Sequence, residues 1–408
     1  MSLQNVFESE FSKATVFKDR NKIMPHYTPN SLPFRKGQQD FIISVVGKTT
    51  RGLRPDNLFI YGRPGTGKTS TTRHVMDELC TFAAQKSLKI RYVYINCRTH
   101  NKKYKVLLKS LKELFPEQPD KAFQGYSAAY LYEKLVGFVR ETETHLMLVL
   151  DELDKVRDLD ELIYSLTRSN DELPKGGISV IGISNNLSFK DALDPRTKSS
   201  LCQQEMIFPP YDAEQLLKIL TERTEEAFFP ETVEHSAISR SAQLAAQESG
   251  DARTALKLML KAGELADREG TSLVKEDHVN RGKSDVEKDM MIEHISSRPE
   301  QEKILLYTIA CMELKGSPAR NLYGETTGRL MSGDIYEEYK KMHGRVKLKE
   351  DDKPVTDRQV REYTNSEEMD GLLSVVPSGA GVKGQTRFIK LKIDPKLVKE
   401  VLEKEFFG

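Results

Sequence analysis

The sequence predicts a mixed α/β chain of three domains: a parallel-sheet α/β domain, a small all-helical domain, and a domain of three helices followed by a β-hairpin. Its 408 residues exceed what one hydrophobic core usually serves. Short apolar runs alternate with helical patterns in the first half, helical patterns then continue alone, and a hairpin pattern lies near the C-terminus. We therefore place the domains at residues 1–208, 209–288 and 289–408.

Five short apolar runs, rich in β-branched or aromatic residues, predict the strands of the first domain. They are Leu58 to Tyr61, Ile90 to Ile95, Leu146 to Leu150, Ile178 to Ile183 and Met206 to Phe208. The runs lack an alternating polar face, as expected of parallel strands that helices cover on both sides. Such a sheet binds its ligand at the carboxyl ends of the strands.

The second domain is predicted to be all helical, because no strand pattern follows Pro209 and Pro210 for many residues. Amphipathic helices are expected at Asp212 to Arg223, Ser236 to Glu248 and Ala252 to Asp267.

The last domain combines helical patterns with a hairpin. The helices are expected at Gln301 to Leu314, Ser332 to Met342 and Thr356 to Glu368. Leu372 to Pro377 and Thr386 to Ile393 would pair across a turn that contains Gly379, Gly381 and Gly384. Three helices followed by a β-hairpin is the winged-helix pattern.

Composition limits the class of protein. The N-terminus lacks a basic region followed by an apolar run, and no stretch approaches the roughly 18 to 20 apolar residues of a membrane span, so we expect a cytoplasmic protein without membrane contact. The net charge is only +1, so any nucleic-acid contact must depend on local clusters of basic residues. The cysteines are far apart, which favours free thiols over a zinc site: Cys80, Cys97, Cys202 and Cys311.

A phosphate-binding loop directly follows the first strand. The residues that match G-x-x-x-x-G-K-[ST] are Gly62, Arg63, Pro64, Gly65, Thr66, Gly67, Lys68 and Thr69, and Ser70 comes next. Glycines let the backbone turn tightly and direct N–H groups at phosphate oxygens, while the N-terminus of the following helix adds its positive dipole end. Lys68 would reach the β and γ phosphates of ATP or ADP, and Thr69 would bind Mg²⁺.

A second motif ends the third strand. The run from Leu146 to Leu150 leads into Asp151 and Glu152, the arrangement that P-loop NTPases use as a Walker B site. Asp151 would hold Mg²⁺ through its water shell, because a hard cation prefers oxygen ligands. Glu152 would polarise the water that attacks the γ phosphate.

Three further polar residues follow in the order found in AAA+ ATPases. Asn185, at the end of the fourth strand, resembles the sensor I residue. Arg253, at the start of a helix in the second domain, resembles the sensor II arginine, whose guanidinium suits phosphate. Arg196 resembles the arginine finger that AAA+ proteins present to a neighbouring subunit. Tyr211 and Arg223 complete the residues expected to contact the nucleotide.

Nearly the whole chain resembles the archaeal Orc1/Cdc6 replication initiators. The matching stretches are FIYGRPGTGKT from Phe59, YINCR from Tyr94, DELD from Asp151, LDPRTKSSL from Leu193, GDARTAL from Gly250 and GDIYEEY from Gly333. The resemblance implies an AAA+ domain that grips double-stranded origin DNA, a helical lid, a winged helix that reads the origin, recruitment of the MCM helicase, and contact with other Orc1/Cdc6 subunits. It also implies a nucleoid-associated location.

The resemblance places a DNA-gripping insertion near Arg98 to Leu114. Lys102, Lys103 and Lys105 are the candidate phosphate contacts in this basic helix. A solvated helix face is the alternative interpretation of each lysine.

In the winged helix, Thr356 to Glu368 is the expected recognition helix, with Arg358, Gln359 and Arg361 near its N-terminal end. Lys383 and Arg387 would reach the DNA from the wing. Winged helices also bind proteins, and the recognition helix carries several acidic residues.

The sequence thus predicts an origin-binding initiator that hydrolyses ATP slowly and uses its ATP or ADP state as a switch. A regulatory paralogue that binds protein or non-specific DNA is the alternative. A clamp loader or remodelling motor is a second alternative, against which the terminal winged helix argues.

Overall fold

The computed structural model describes residues 15–27, 29, 32–119, 121–186, 189–316, 330–346, 353–369, 371–377 and 387–407. The chain forms two compact units, of which the first ends at Lys283 and the second begins at Ser284. No helix within the described ranges is both long enough and apolar enough to cross a membrane.

A five-stranded parallel sheet forms the centre of the first unit, as the sequence predicted. Its strands are β1 Leu58–Tyr61, β2 Ile90–Asn96, β3 His145–Asp151, β4 Gly177–Ser184 and β5 Gln204–Ile207. Their order is β2-β3-β4-β1-β5, and all residues of β1, β3 and β4 are buried. All five carboxyl ends therefore lie at one edge of the sheet.

Seven helices of the described residues precede the first strand or lie on the chain segments between the strands. They are α1 Arg20–Ile23, α2 Lys36–Val46, α3 Lys68–Gln85, α4 Lys103–Leu114, α5 Ala128–Thr142, α6 Leu159–Arg168 and α7 Pro195–Leu201. The fifth predicted strand was placed too late in the chain, since Gln204 already pairs with Leu58 of β1.

The helical layer of the first unit contains the three helices predicted there. They are α8 Ala213–Ala227, α9 His235–Glu248 and α10 Ala252–Glu269, and α11 Glu276–Ser296 follows without having been predicted. Asp212 and Gln215 form a capping box, which explains why α8 begins at Ala213. The Asp251 side chain caps α10 by accepting a hydrogen bond from the backbone N–H of Arg253.

The N-terminal segment packs against the helical layer. Phe17 forms an antiparallel bridge with Phe228, and their ring centroids lie 4.7 Å apart. A Cβ at Gly263 would lie only 2.4 Å from the Phe17 ring, so the close packing requires glycine in α10. The start of the segment is therefore held against the helical layer.

The second unit is a winged helix whose described residues contain the three predicted helices and, in addition, a short strand and a last helix that the sequence did not predict. Its elements are α12 Glu300–Lys315, β6 Leu330–Met331, α13 Ser332–His343, α14 Asp357–Met369, β7 Leu373–Pro377, β8 Arg387–Leu391 and α15 Pro395–Phe407. The strands form an antiparallel sheet in the order β6-β8-β7. Val398 and Leu402 bury one face of α15 in the core, a spacing of four that could have predicted this helix.

Candidate functional site

A cleft of about 300 Å³ opens where the strands of the parallel sheet end and the N-terminus of α10 approaches. Both sequence motifs contribute to it, together with the N-terminal segment and two helices of the helical layer. The described residues that line it are Pro25, His26, Tyr27, Pro29, Leu32, Pro33, Gly65, Gly67, Lys68, Thr69, Ser70, Arg73, Tyr94, Asn96, Asp151, Glu152, Asn185, Tyr211, Ile219, Arg223, Ala252, Arg253 and Leu256.

The glycines of the first motif are required by the geometry of the loop. Gly65 has a φ of 65°, and a Cβ there would lie 1.4 Å from the Asp251 carboxylate. Gly67 has a φ of 86° and precedes α3 without a side-chain cap. The first N–H groups of α3 are consequently available to an anion in the cleft. Of the other loop residues, Thr66 is buried, whereas Arg63 and Pro64 are exposed.

Lys68 lies at the bottom of this loop. Its Nζ donates hydrogen bonds to the backbone oxygens of Gly62 at 2.8 Å and Arg63 at 2.7 Å. The side chain is buried, and this burial lowers the pKa of Lys68 to about 8; the charge of Asp151 opposes the shift and that of Arg253 adds to it. A buried cation whose partners are neutral carbonyls is suited to bind an incoming anion.

Asp151 and Thr69 form an oxygen site beside the loop. Thr69 Oγ1 donates a hydrogen bond to Asp151 Oδ2 at 2.8 Å, and both residues line the cleft. Tyr94 OH donates to the same carboxylate oxygen at 2.7 Å. A carboxylate and a hydroxyl are the ligand types that Mg²⁺ prefers, so this donor set fits the cation.

Glu152 has an ion-pair partner that the sequence analysis did not anticipate. It takes a left-handed conformation with a φ of 53°, and its Oε2 lies 3.6 Å from Arg98 Nε. The Arg98 backbone N–H is fixed by Asn96 Oδ1 at 2.8 Å. The turn after β2 thus places a cation beside the second carboxylate of the Walker B motif.

The helical layer contacts the phosphate-binding loop through polar groups. Ala252 N donates to Gly65 O at 3.3 Å, and Arg253 lines the cleft. Arg35 is buried; its Nε donates to Thr66 O at 2.9 Å and to Tyr211 OH at 3.0 Å. Tyr211 therefore reaches the loop as part of a buried network, of which Arg35 was not predicted.

The N-terminal segment forms one wall of the cleft, which the sequence analysis also missed. Arg223 is buried and donates to Met24 O at 3.1 Å and Tyr27 O at 3.3 Å. Its guanidinium lies 4.6 Å from the Tyr27 ring centroid. The PHY sequence at Pro25 carries no motif that signals a ligand, so only the fold brings it to the site.

Of the candidate catalytic residues Asn185 and Arg196, only the first lines the cleft. Asn185 is exposed and lines the cleft directly after β4. Arg196 is exposed at the start of α7 and is not among the residues that line the cleft.

The three candidate lysines near α4 differ in the exposure of their side chains. Lys102 and Lys105 are exposed. The Lys103 side chain is only 13% exposed, and its Nζ donates to Glu161 Oε1 at 2.7 Å and Ser165 Oγ at 2.9 Å. Lys103 therefore attaches α4 to α6, and its ammonium group is already bound within the protein.

In the winged helix, the arginines at the start of α14 are exposed and pair along the helix. Arg358 pairs with Glu362 at 3.2 Å and Arg361 with Asp357 at 2.8 Å. Gln359 Oε1 accepts a hydrogen bond from the backbone N–H of Thr356. Arg387 on β8 donates to Asn365 of α14, which places it beside the expected recognition helix. Lys383 lies outside the described residues.

Three family models match successive parts of the chain. The model described as an AAA domain matches residues 53–188, the Cdc6 AAA+ ATPase-type lid domain matches residues 217–284, and the CDC6 C-terminal winged helix domain matches residues 293–401.

Curated relatives match over the full length. The chain is 37% identical to an ORC1-type DNA replication protein of Pyrococcus abyssi, over 100% of this chain and 94% of the relative. It is 36% identical to ORC1-type DNA replication protein 1 of Archaeoglobus fulgidus, over 98% and 94%. Among solved structures, the Aeropyrum pernix ORC1 protein in complex with DNA is similar, with a TM-score of 0.77, 33% identity, and coverage of 96% of this chain and 98% of that one.

Proposed function

We propose, since this chain belongs to the Orc1/Cdc6 family of ORC1-type DNA replication proteins, that it is an initiator that binds origin DNA and helps load the MCM helicase. Its AAA+ ATPase domain would act as the switch, with different DNA-binding states for ATP and ADP. The observation that carries this proposal is the cleft in which the phosphate-binding loop, the Walker B carboxylates and the N-terminus of α10 converge.

The cleft has the chemistry that a nucleoside triphosphate requires. Lys68 and the free N–H groups at the start of α3 would bind the phosphates, and Arg253 would contact the γ phosphate from the helical layer. The apolar part of the lining would receive the base, with Leu32, Ile219 and Leu256 as its walls.

Hydrolysis would use the two carboxylates. Thr69 and Asp151 would hold Mg²⁺, which neutralises charge that develops on the phosphates. Glu152 would orient and deprotonate the attacking water. Arg196 is exposed and away from its own cleft, which supports a role as the arginine finger for another Orc1/Cdc6 subunit.

The Arg98 ion pair gives a reason for slow turnover. The guanidinium holds the Glu152 carboxylate beside the turn after β2, and a carboxylate that is paired with a cation is less available to orient the attacking water. We expect Arg98→Ala to raise basal ATP hydrolysis by up to about 5-fold, because a partly exposed ion pair contributes about 0.2–1 kcal/mol. The steady-state rate of phosphate release measures the basal rate of ATP hydrolysis.

Lys155→Ala is the matched control, because this substitution also removes one exposed cation near the site. The Lys155 ammonium lies 3.5 Å from the Asp154 carboxylate. Hydrolysis that stays at the wild-type rate in Arg98→Ala would refute this explanation.

DNA would be bound by both units of the chain. Lys102 and Lys105 on α4 are exposed and would contact phosphates, each adding sequence-neutral, salt-dependent affinity. Lys103 is left out of this proposal because Glu161 and Ser165 bind its ammonium group. In the winged helix, Arg358, Gln359 and Arg361 would face the major groove from the start of α14, and Arg387 would contact the backbone beside them.

We expect the double substitution Arg358→Ala with Arg387→Ala to weaken binding to an origin duplex by about 10-fold, because an arginine contact with a base is worth about 1–3 kcal/mol and the lost backbone contact of Arg387 removes salt-dependent affinity as well. ATP affinity should not change, since neither residue lies in the cleft. Fluorescence anisotropy with an origin duplex and a scrambled duplex of equal length, at two salt concentrations and with ATP or ADP, measures both affinity and specificity.

Lys399→Ala with Lys404→Ala provides the control, because it removes the same charge from α15 of the same winged helix, where both lysines pair with glutamates. Equal losses in the two double variants would indicate a general charge effect and would contradict the assigned contacts.

A regulatory paralogue whose winged helix binds protein is the second candidate. The observation that favours it is the pairing of Arg358 and Arg361 with acidic residues of their own helix. Such a protein would bind the origin and scrambled duplexes equally and weakly, and the binding would be lost at higher salt.

A further inference from the structure

We propose that Tyr94 is a positioning residue of the magnesium site: its hydroxyl holds the Asp151 carboxylate in place, and Arg73 holds its ring. The inference rests on the proposed nucleotide-binding function and names residues that neither sequence motif contains. It concerns a contact that the fold creates between β2, β3 and α3.

The contact belongs to a regular arrangement of side chains. Thr69, Arg73 and Asp77 are spaced by four residues and share one face of α3. Tyr92 and Tyr94 are two residues apart and share one face of β2. The Arg73 guanidinium lies 4.8 Å from the Tyr94 ring centroid, and Tyr92 OH donates a hydrogen bond to Asp77 Oδ1.

Asp151 is fixed by donors from three elements. Its Oδ1 accepts from the Glu152 N–H at 3.0 Å, while its Oδ2 accepts from Thr69 Oγ1 at 2.8 Å and from Tyr94 OH at 2.7 Å. Thr69 and Glu152 belong to segments that would themselves contact nucleotide and water. Tyr94 is on β2, outside both of these segments.

The chemistry of Tyr94 suits a permanent donor. An ionised carboxylate only accepts hydrogen bonds, so the hydroxyl directs its hydrogen at Asp151 Oδ2, 2.7 Å away. Groups that orient a ligand of a metal ion in this way typically change metal affinity or activity by 10–100-fold when removed.

A purely structural role is the competing explanation, because both tyrosines join α3 to β2. Tyr92→Phe is the matched control: it removes the same hydroxyl from the same strand face, but its partner Asp77 lies outside the residues that line the cleft. Tyr94→Phe keeps the ring under Arg73 and removes only the hydrogen bond to Asp151.

The test titrates Mg²⁺ at a fixed concentration of a fluorescent ATP analogue and follows nucleotide binding to the full chain. In EDTA, wild type, Tyr92→Phe and Tyr94→Phe should bind the analogue equally. The Mg²⁺ concentration that produces half of the increase in nucleotide affinity should be at least about 10-fold higher in Tyr94→Phe than in wild type. In Tyr92→Phe this concentration should match wild type.

Two results would overturn the inference and leave the proposed function standing: an unchanged Mg²⁺ requirement in Tyr94→Phe, or an equal shift in both variants. A wild-type chain that binds no analogue with or without Mg²⁺ would overturn the proposed function as well, so the two failures can be distinguished.

Discussion

Lys68→Ala should abolish tight nucleotide binding. The ammonium group is buried at the bottom of the phosphate-binding loop, where its two hydrogen-bond acceptors are neutral backbone oxygens. Removal of the ammonium group would leave the negative charge of the phosphates in a site that lacks the main cation. Loss of one partner of a buried charged contact costs about 2–5 kcal/mol, so ATP and ADP affinity should fall between about 30-fold and several thousand-fold. Titration with a fluorescent nucleotide analogue measures the loss.

The pH dependence of affinity provides a second measure of the same contact. Burial lowers the pKa of Lys68 to about 8, so in the free protein the cation is lost as pH rises through this value. Wild-type affinity for ATP should therefore fall between pH 7 and pH 9, and the affinity of Lys68→Ala should lack this fall.

Lys48→Ala is the control for this variant, because Lys48 forms a surface ion pair with Asp56 away from the cleft. Unchanged nucleotide affinity in Lys68→Ala, with a folded chain by circular dichroism, would contradict the assignment of the cleft as the nucleotide site.

The parts of the site that the sequence predicted are those encoded by local spacing. Lys68 and Thr69 follow a strand within a fixed motif, and Asp151 and Glu152 end another. Parallel strands bring their carboxyl ends to one edge of the sheet, so these two motifs had to meet once the sheet was predicted. The structure brings them together with Thr69 and Asp151 in hydrogen-bond contact.

The parts that the sequence analysis missed depend on contacts between distant segments. Arg35 bonds to Tyr211, which is 176 residues away, and Arg223 bonds to the backbone of Met24, which is 199 residues away. Arg35 was not predicted, and Arg223 was predicted as a nucleotide contact but without its partners Met24 and Tyr27. Their positions follow from the packing of the N-terminal segment on the helical layer, a tertiary effect that no local pattern expresses.

The lysines near α4 show why charge alone did not identify a binding surface. From the sequence alone, Lys102, Lys103 and Lys105 have the same interpretation, because all three precede or begin a basic helix. The helix is amphipathic, and its buried face turns Lys103 toward α6 and leaves its two neighbours in solvent. Which lysine pairs within the protein is decided by the neighbouring helix.

Glu152→Gln should keep ATP binding and stop turnover. The substitution keeps the size of the side chain and its ability to accept a hydrogen bond, but an amide cannot take a proton from the attacking water. General-base catalysis contributes about 10²–10⁴-fold, so the hydrolysis rate should fall by that factor. Affinity for ATP should stay close to wild type, because in the proposed site the phosphates would be bound by Lys68 and the start of α3.

The ion pair between Arg98 and Glu152 allows a second test of the role of Glu152. Removal of the Glu152 charge also removes the attraction that holds Arg98 Nε at 3.6 Å. If Arg98 restrains hydrolysis only through Glu152, then Arg98→Ala should speed the wild-type enzyme and have no effect in the Glu152→Gln background, a non-additivity expected of residues in direct contact. Glu161→Gln, an exposed carboxylate on α6 that pairs with Lys103, should hydrolyse ATP at the wild-type rate. Turnover retained by Glu152→Gln would assign the general base to another residue of the cleft.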